Sequence, residues 1–287
     1  MFKRFSRLVM LSHTIFALPF ALIGYTYALA STAAQFDWLV LAKVLLCMLF
    51  ARNTAMGFNR WADREIDAEN PRTADREIPA GRVSARAAFT FVVVNALLFV
   101  ATTVSINMLC ALLSPVALAV VMGYSYCKRF TSFAHLVLGL GLAIAPVGAY
   151  IAVSGEFALV PCLLALVVMT WCGGFDIIYA LQDREFDIQR GLHSIPTRFS
   201  VGGALAISSM LHVVSAVALA LFTWQMTNSA WWRWVGVVIF VALLILQHIL
   251  VTPTRQRNIG IAFGTVNGIA SVVLAAFMIG SMVVNLI

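Results

Sequence analysis

The chain has 287 residues, of which 62% are hydrophobic and only 11% charged. A soluble domain of this length carries about a quarter charged residues, so lipid is the solvent for most of this chain and a water-soluble globular fold is excluded. The net charge of +7 would point to nucleic acid in a soluble protein; here basic loops on one membrane face account for it, and no nucleic-acid partner is expected.

At the N-terminus, Lys3, Arg4 and Arg7 precede a long apolar run with no small-residue cleavage site behind it. That run reads as a retained spanning helix rather than a signal peptide. A spanning helix needs about 20 mostly apolar residues. Nine such segments follow in order, near 9–30, 37–58, 85–104, 107–126, 133–153, 158–181, 202–224, 230–251 and 260–285. The third and fourth are nearly continuous, and Ser105-Ile106-Asn107 is the natural turn between them. The expected fold is all-α and integral to the membrane, one transmembrane domain over residues 1–287.

Charge sets the orientation. With the N-terminus cytoplasmic, the inner loops and adjacent helix ends hold 16 of the 19 basic residues, which is the distribution that cytoplasmic loops favour. Arg233 lies near an outer loop, and Lys43 and Arg52 lie within the second segment. The acids are equally uneven. Ten of the 12 fall in two inner places: 63–77, after the second segment, and 176–187, at the end of the sixth. Acids contribute little to topology, so another cause holds them there. Both places follow segments four apart, which suggests two four-helix units plus a ninth helix.

The first acid motif runs Asn59-Arg60-Trp61-Ala62-Asp63-Arg64-Glu65-Ile66-Asp67. If the second helix continues through it, Asn59, Asp63 and Asp67 stack along one face. The second runs from Asp176 to Asp187, and Asp176, Tyr179, Asp183 and Asp187 likewise share a face. Carboxylates that face each other need cations between them. An all-oxygen set suits Mg²⁺, which binds one or two carboxylates together with substrate phosphates. Arg72, Arg76, Lys128, Arg129, Arg184 and Arg198 stand nearby to meet phosphate oxygens. Acids for metal and bases for phosphate, on the rim of a lipid-embedded bundle, describe a site for a diphosphate with an apolar tail. Arg64, Glu65, Glu69, Asp75 and Glu185 read as plain loop charges.

Arg52 lies seven residues before Asn59, hence on the same face and about 10 Å deeper. A charge at that depth faces a cavity or a partner, which suits an anionic group of a substrate; snorkelling is the alternative. Lys43 reads as a snorkelling residue. The five cysteines form no CxxC or Cys/His spacing and read as small buried hydrophobes. His13, His135, His193, His212 and His248 show no metal-ligand spacing; packing is the preferred reading for His13.

With these residues in place the chain resembles the UbiA superfamily of intramembrane prenyltransferases over nearly its whole length. The family motif NDxxDxxxD is matched by Asn59, Asp63 and Asp67, with Arg60 where Asp is common. YxxxDxxxD is matched by Tyr179, Asp183 and Asp187. Tyr124 to Thr131 is also family-like, and His13 to Phe20, Asn70 to Gly81 and Gly174 to Pro196 look like the 4-hydroxybenzoate polyprenyltransferase branch, and especially its homologues in the futalosine route to menaquinone. The resemblance implies nine helices around a central cavity with the active site at the cytoplasmic side of the inner membrane. It implies a polyprenyl diphosphate donor and a hydroxylated aromatic acid acceptor, 4-hydroxybenzoate or a dihydroxynaphthoate, in ubiquinone or menaquinone synthesis. Asn59, Asp63, Asp67, Asp183 and Asp187 would hold Mg²⁺. Arg72, Arg76, Lys128, Arg129 and Arg198, with Gln182 beside them, would meet the donor, and Arg52 the acceptor carboxylate. Tyr124, Tyr126 or Tyr179 would stabilise an allylic cation. Two rivals stand beside this reading: a prenyltransferase for haem, homogentisate or a chlorin, and a transporter with acidic ion sites. Transporter sites tend to lie at the midplane, whereas these acids gather at the rim.

Overall fold

A computed structural model describes residues 16–226 and 230–284. His13, the basic residues at positions 3, 4 and 7, and the start of the first expected segment lie outside the described residues. Twelve α-helices account for the described chain. They are α1 (Leu18–Ser31), α2 (Trp38–Ala62), α3 (Arg64–Glu69), α4 (Ala85–Val104), α5 (Met108–Cys127), α6 (Ala134–Ser154), α7 (Leu159–Ala180), α8 (Arg184–Gln189), α9 (Ile195–Arg198), α10 (Val201–Gln225), α11 (Arg233–Leu250) and α12 (Asn267–Val283). Eight helical stretches are long and apolar enough to cross a membrane, and α1 is a shorter apolar helix of 14 residues. The protein is therefore an all-helical, multi-pass membrane protein. Among the described residues eight stretches reach spanning length, against the nine expected.

Local chemistry sets the helix ends. Asp37 caps α2 by accepting the Leu39 amide at 2.7 Å, and Asn107 caps α5 by accepting the Cys110 amide at 2.8 Å. Such caps satisfy amides that the first helical turn leaves open. Ser105 ends α4 and Asn107 starts α5, so the turn falls where the sequence places it. Lys43 does not simply reach for the interface: its Nζ donates to the Ser105 carbonyl at 2.6 Å and tethers that turn to α2. Gly155, at φ +73°, ends α6 in the left-handed conformation that glycine adopts without strain.

The long helices pack side by side in chain order, from α2 to α4, α5, α6, α7, α10, α11 and α12, and α12 returns to α1. α6 packs against α1 as well as against α5 and α7. α7 is the buried spine: Val167, Val168, Trp171, Cys172 and Ile177 are fully enclosed. Its approach to α6 is close. A Cβ on Gly139 would fall 2.2 Å from the Met169 carbonyl oxygen. Exposed Trp38, Trp224 and Trp231 lie at the end opposite the acid motifs, as expected of an interfacial aromatic belt. All five cysteines are free.

Candidate active site at the acid-rich end

Both acid motifs fall at the same kind of break. α2 stops at Ala62 and α3 starts at Arg64, leaving Asp63 at the junction with φ −95° and ψ 8°. α7 stops at Ala180, a single 3-10 turn covers Leu181–Asp183, and α8 starts at Arg184. Asp183 therefore occupies the equivalent junction, at φ −101° and ψ 0°. The stacking of Asn59, Asp63 and Asp67 was argued for a helix that runs on through the motif, and the structure breaks that helix at Asp63. Both aspartates adopt the sparsely allowed bridge conformation, and their carboxylates take side-chain partners, Asn59, Lys128 and Arg129 for Asp63, Asn70 and Arg72 for Asp183. The spacing of four nonetheless survives the break. The Asp63 amide donates to the Asn59 carbonyl at 2.9 Å, and the Asp67 amide to the Asp63 carbonyl at 2.7 Å. Each junction opens with the same pattern, Asp63-Arg64-Glu65-Ile66-Asp67 and Asp183-Arg184-Glu185-Phe186-Asp187. The second aspartate of each, Asp67 or Asp187, is buried.

The loop from Asn70 to Val83 joins the two junctions. Arg72 crosses from the first motif to the second. Its Nε donates to Asp183 Oδ1 at 2.7 Å and its Nη2 to Oδ2, the two-pronged geometry a guanidinium offers a carboxylate. Arg72 Nη1 also donates to the Tyr179 hydroxyl at 3.1 Å, and the guanidinium lies 5.4 Å from that ring's centroid. Phe263 packs against the same ring at 4.2 Å between centroids. Asn70 adds a hydrogen bond to Asp183 Oδ1 at 2.9 Å. Burial favours a neutral Arg72, but the hydrogen bond and charge of Asp183 outweigh it and hold the guanidinium above its ordinary pKa. Arg76 turns back to the first motif and meets Asp67 Oδ1 at 2.7 Å. Lys128 Nζ lies 3.1 Å from Asp63 Oδ2, and Arg129 Nη2 lies 3.4 Å from Asp63 Oδ1. Asn59 donates to Asp63 Oδ2 at 3.0 Å.

Asn59, Asp63, Asp67, Arg72, Arg76, Lys128, Arg129, Tyr179 and Asp183 are thus brought together. Asp187 joins them through the fields of Lys128, Asp183 and Arg72. Arg60, the departure from the family motif, is buried close to Asp67, Glu77 and Tyr124. Tyr124 is enclosed by protein but keeps some accessible surface, within electrostatic reach of Asp63, Arg60 and Asp176; Arg52 lies within reach of Tyr124. Other expected residues stand apart. Gln182 is exposed and donates to the Tyr179 carbonyl. Arg198 leans on Phe199 at the rim of a groove of about 260 Å³ between α6 and α10, with none of the site acids as its partner. Tyr126 packs against Phe58 and beneath Arg129, and Arg184 holds the Pro196 carbonyl. Asp176 was placed on the face of the second motif, but Asn70, the pairing of His135 with Asp176 and the Glu69–Arg190 ion pair were not anticipated from sequence. Their partners lie 113, 41 and 121 residues away, which no local spacing reveals.

Among the described residues, no three His, Cys, Asp or Glu side chains converge to hold a metal between them. The donor set is nevertheless suited to Mg²⁺. It consists of oxygens, and Asp67 Oδ2 is buried with no hydrogen-bond partner. Mg²⁺ also takes few protein carboxylates when substrate phosphates complete its shell.

This geometry matches acids to bases at one end of an apolar bundle. Residues 17–272 match the UbiA prenyltransferase family, and the chain belongs to that family as a membrane prenyltransferase. It is 30% identical over 243 residues to a 4-hydroxybenzoate octaprenyltransferase of Alkalilimnicola ehrlichii, covering 85% of this chain and 82% of the relative. The fold is similar to that of a UbiA homologue from Aeropyrum pernix K1, with a TM-score of 0.78 and 28% identity over 96% of this chain and 98% of that one. A UbiA homologue from Archaeoglobus fulgidus, bound to GPP and Mg²⁺, gives a TM-score of 0.72 at 19% identity, over 98% of this chain and 99% of that one.

Proposed function

We propose that the protein transfers a polyprenyl group from its diphosphate to a ring carbon of a hydroxylated aromatic acid, 4-hydroxybenzoate or a dihydroxynaphthoate, for quinone synthesis. The observation that carries this reading is the Arg72 bridge, which draws both acid junctions into one mouth over an apolar bundle. The names of the bacterial relatives supply the acceptor class.

Asn59, Asp63 and Asp67 on one side and Asp183 and Asp187 on the other would hold Mg²⁺ against the donor diphosphate. Mg²⁺ when bound would supply positive charge to the diphosphate oxygens as the allylic C–O bond weakens. Arg72, Arg76, Lys128 and Arg129 are the groups free to turn from carboxylate to phosphate, and their charges stabilise the leaving group. Arg60 adds a further positive charge beside Asp67. The Tyr179 ring and the enclosed Tyr124 present π faces to the cation, and the apolar bundle excludes the water that would quench it. Arg52 orients the acceptor carboxylate below them. The acid-rich rim faces the cytoplasm of a bacterial inner membrane, following the basic loops.

The direct test is purified protein with geranyl diphosphate, Mg²⁺ and a panel of aromatic acids. Prenylated 4-hydroxybenzoate or dihydroxynaphthoate is expected, with activity lost on chelation and restored by Mg²⁺. Product only with homogentisate, haem or a chlorin would reassign the acceptor. Ion flux without prenyl product would point to transport.

A further inference from the structure

The helix of the second motif carries one acid that the site above does not use. Asp176 lies seven residues before Asp183, about 10 Å deeper along α7. Its side chain keeps 20% of its surface, although its neighbours Phe175 and Ile177 are 3% and 0% exposed. That accessible surface lies on the flank of α7 that also bears Tyr179 and Asp183. Buried His135, on α6, fixes the carboxylate. Its Nδ1 lies 2.7 Å from Asp176 Oδ2, and its Nε2 accepts the Ile195 amide at 3.4 Å. An Nε2 that accepts leaves the ring proton on Nδ1, so the imidazole donates to Oδ2. Among the described residues no donor meets Oδ1, which remains an open acceptor.

Tyr124 stands near this acid, and Arg52 is linked to it only through Tyr124. Tyr124 is within electrostatic reach of both Asp63 and Asp176, and Arg52 within reach of Tyr124. Arg52 precedes Asp63 by eleven residues, about 16 Å along α2. Asp176 thus sits between the depth of Arg52 and the acid rim. An aromatic acid whose carboxylate meets Arg52 would carry its hydroxyl, at the other end of the ring, to the level of Asp176.

We propose that Asp176, positioned by His135, accepts the hydrogen of the acceptor's phenolic hydroxyl and thereby activates the ring carbon beside it. This inference rests on the aromatic-acid reading above. The allylic C–O bond of the donor breaks and its electron pair leaves with the diphosphate. The ring carbon ortho to the hydroxyl donates a pair to the prenyl C1, while the hydroxyl proton passes to Asp176 Oδ1. The same ring carbon then loses its hydrogen as a proton, aromaticity returns, and Asp176 gives its proton back to the oxygen. Each turnover releases one diphosphate and one proton.

The test compares acceptors with and without that proton. Wild type, Asp176→Asn, His135→Gln and His135→Leu are assayed with geranyl diphosphate, Mg²⁺, and either 4-hydroxybenzoate or 4-methoxybenzoate. A dihydroxynaphthoate and its methyl ether run in parallel. The ether keeps an electron-donating oxygen but has no hydrogen to give. Wild type is expected to favour the hydroxyl form strongly. Asp176→Asn should lower kcat about 100-fold with the hydroxyl form, the lower end of what a positioned base contributes. KM for the donor should stay unchanged and the hydroxyl preference should collapse to a few-fold. His135→Gln, whose amide still donates to Oδ2, should stay close to wild type; His135→Leu should follow Asp176→Asn. An Asp176→Asn enzyme with normal kcat, or one equally slowed with both acceptors, overturns the proposal and leaves the aromatic-acid reading standing. A wild type that prenylates none of these acids overturns both.

Discussion

Asp63, Asp67 and Asp183 each hold a basic side chain, so removing an acid also strands a charge. Asp67→Ala and Asp183→Ala are each expected to abolish Mg²⁺-dependent transfer of radiolabelled prenyl chain, a loss of at least about 100-fold if charge stabilisation of the leaving group is removed. Near-normal turnover by both would remove them from the metal set. Arg52→Ala should chiefly raise KM for the aromatic acid, since it removes binding that ground and transition states share; an unchanged acceptor KM would favour a snorkelling arginine. The acids were legible from sequence because helical spacing stacks them. Asn70 and His135 were not, because their roles come from contacts with Asp183 and Asp176 on distant parts of the chain. Arg198 was read by proximity in sequence to the second motif, yet α9 turns it toward Phe199 and the groove beside α10.

At the scale of elements, hydropathy located every long helix to within a few residues, since lipid demands internally satisfied backbone over a fixed length. It did not show the breaks at Asp63 and Asp183. The carboxylates there take side-chain partners that leave the apolar pattern unchanged. Nor did it show how closely α6 and α7 approach. Gly139→Val would force a side chain against the Met169 carbonyl, an overpacking that costs about 1–3 kcal/mol. A clear fall in thermal unfolding temperature in detergent is expected. Gly148→Ala, where an added Cβ meets nothing within 4 Å, is the matched control and should unfold with wild type.

For the whole molecule, the uneven distribution of basic residues makes a directional prediction. In a cysteine-free background, Ala80→Cys in the loop between the acid junctions should react with an impermeant thiol reagent only from the cytoplasmic side. Ala33→Cys, before α2, should react only from outside. The reverse pattern would invert the topology and place the diphosphate site on the other face. The sequence suggested two four-helix units from its repeated acids. The matching breaks at Asp63 and Asp183 carry that repeat into the structure.

The arginine bridge has a thermodynamic consequence. While Arg72 and Arg76 occupy Asp183 and Asp67, a lone divalent cation must displace them, and a lone diphosphate must draw them off carboxylates that are then left without a counter-charge. Arriving together, the anion takes the arginines and the cation takes the acids. Each ligand therefore raises the affinity of the other by the same factor, as linkage requires. Melting of the purified protein should rise little with Mg²⁺ or geranyl diphosphate alone and by more than the sum of the two when both are present. Simple additivity would mean that the bridge opens without cost, and that the ion pairs of the resting chain impose no order on how the site fills.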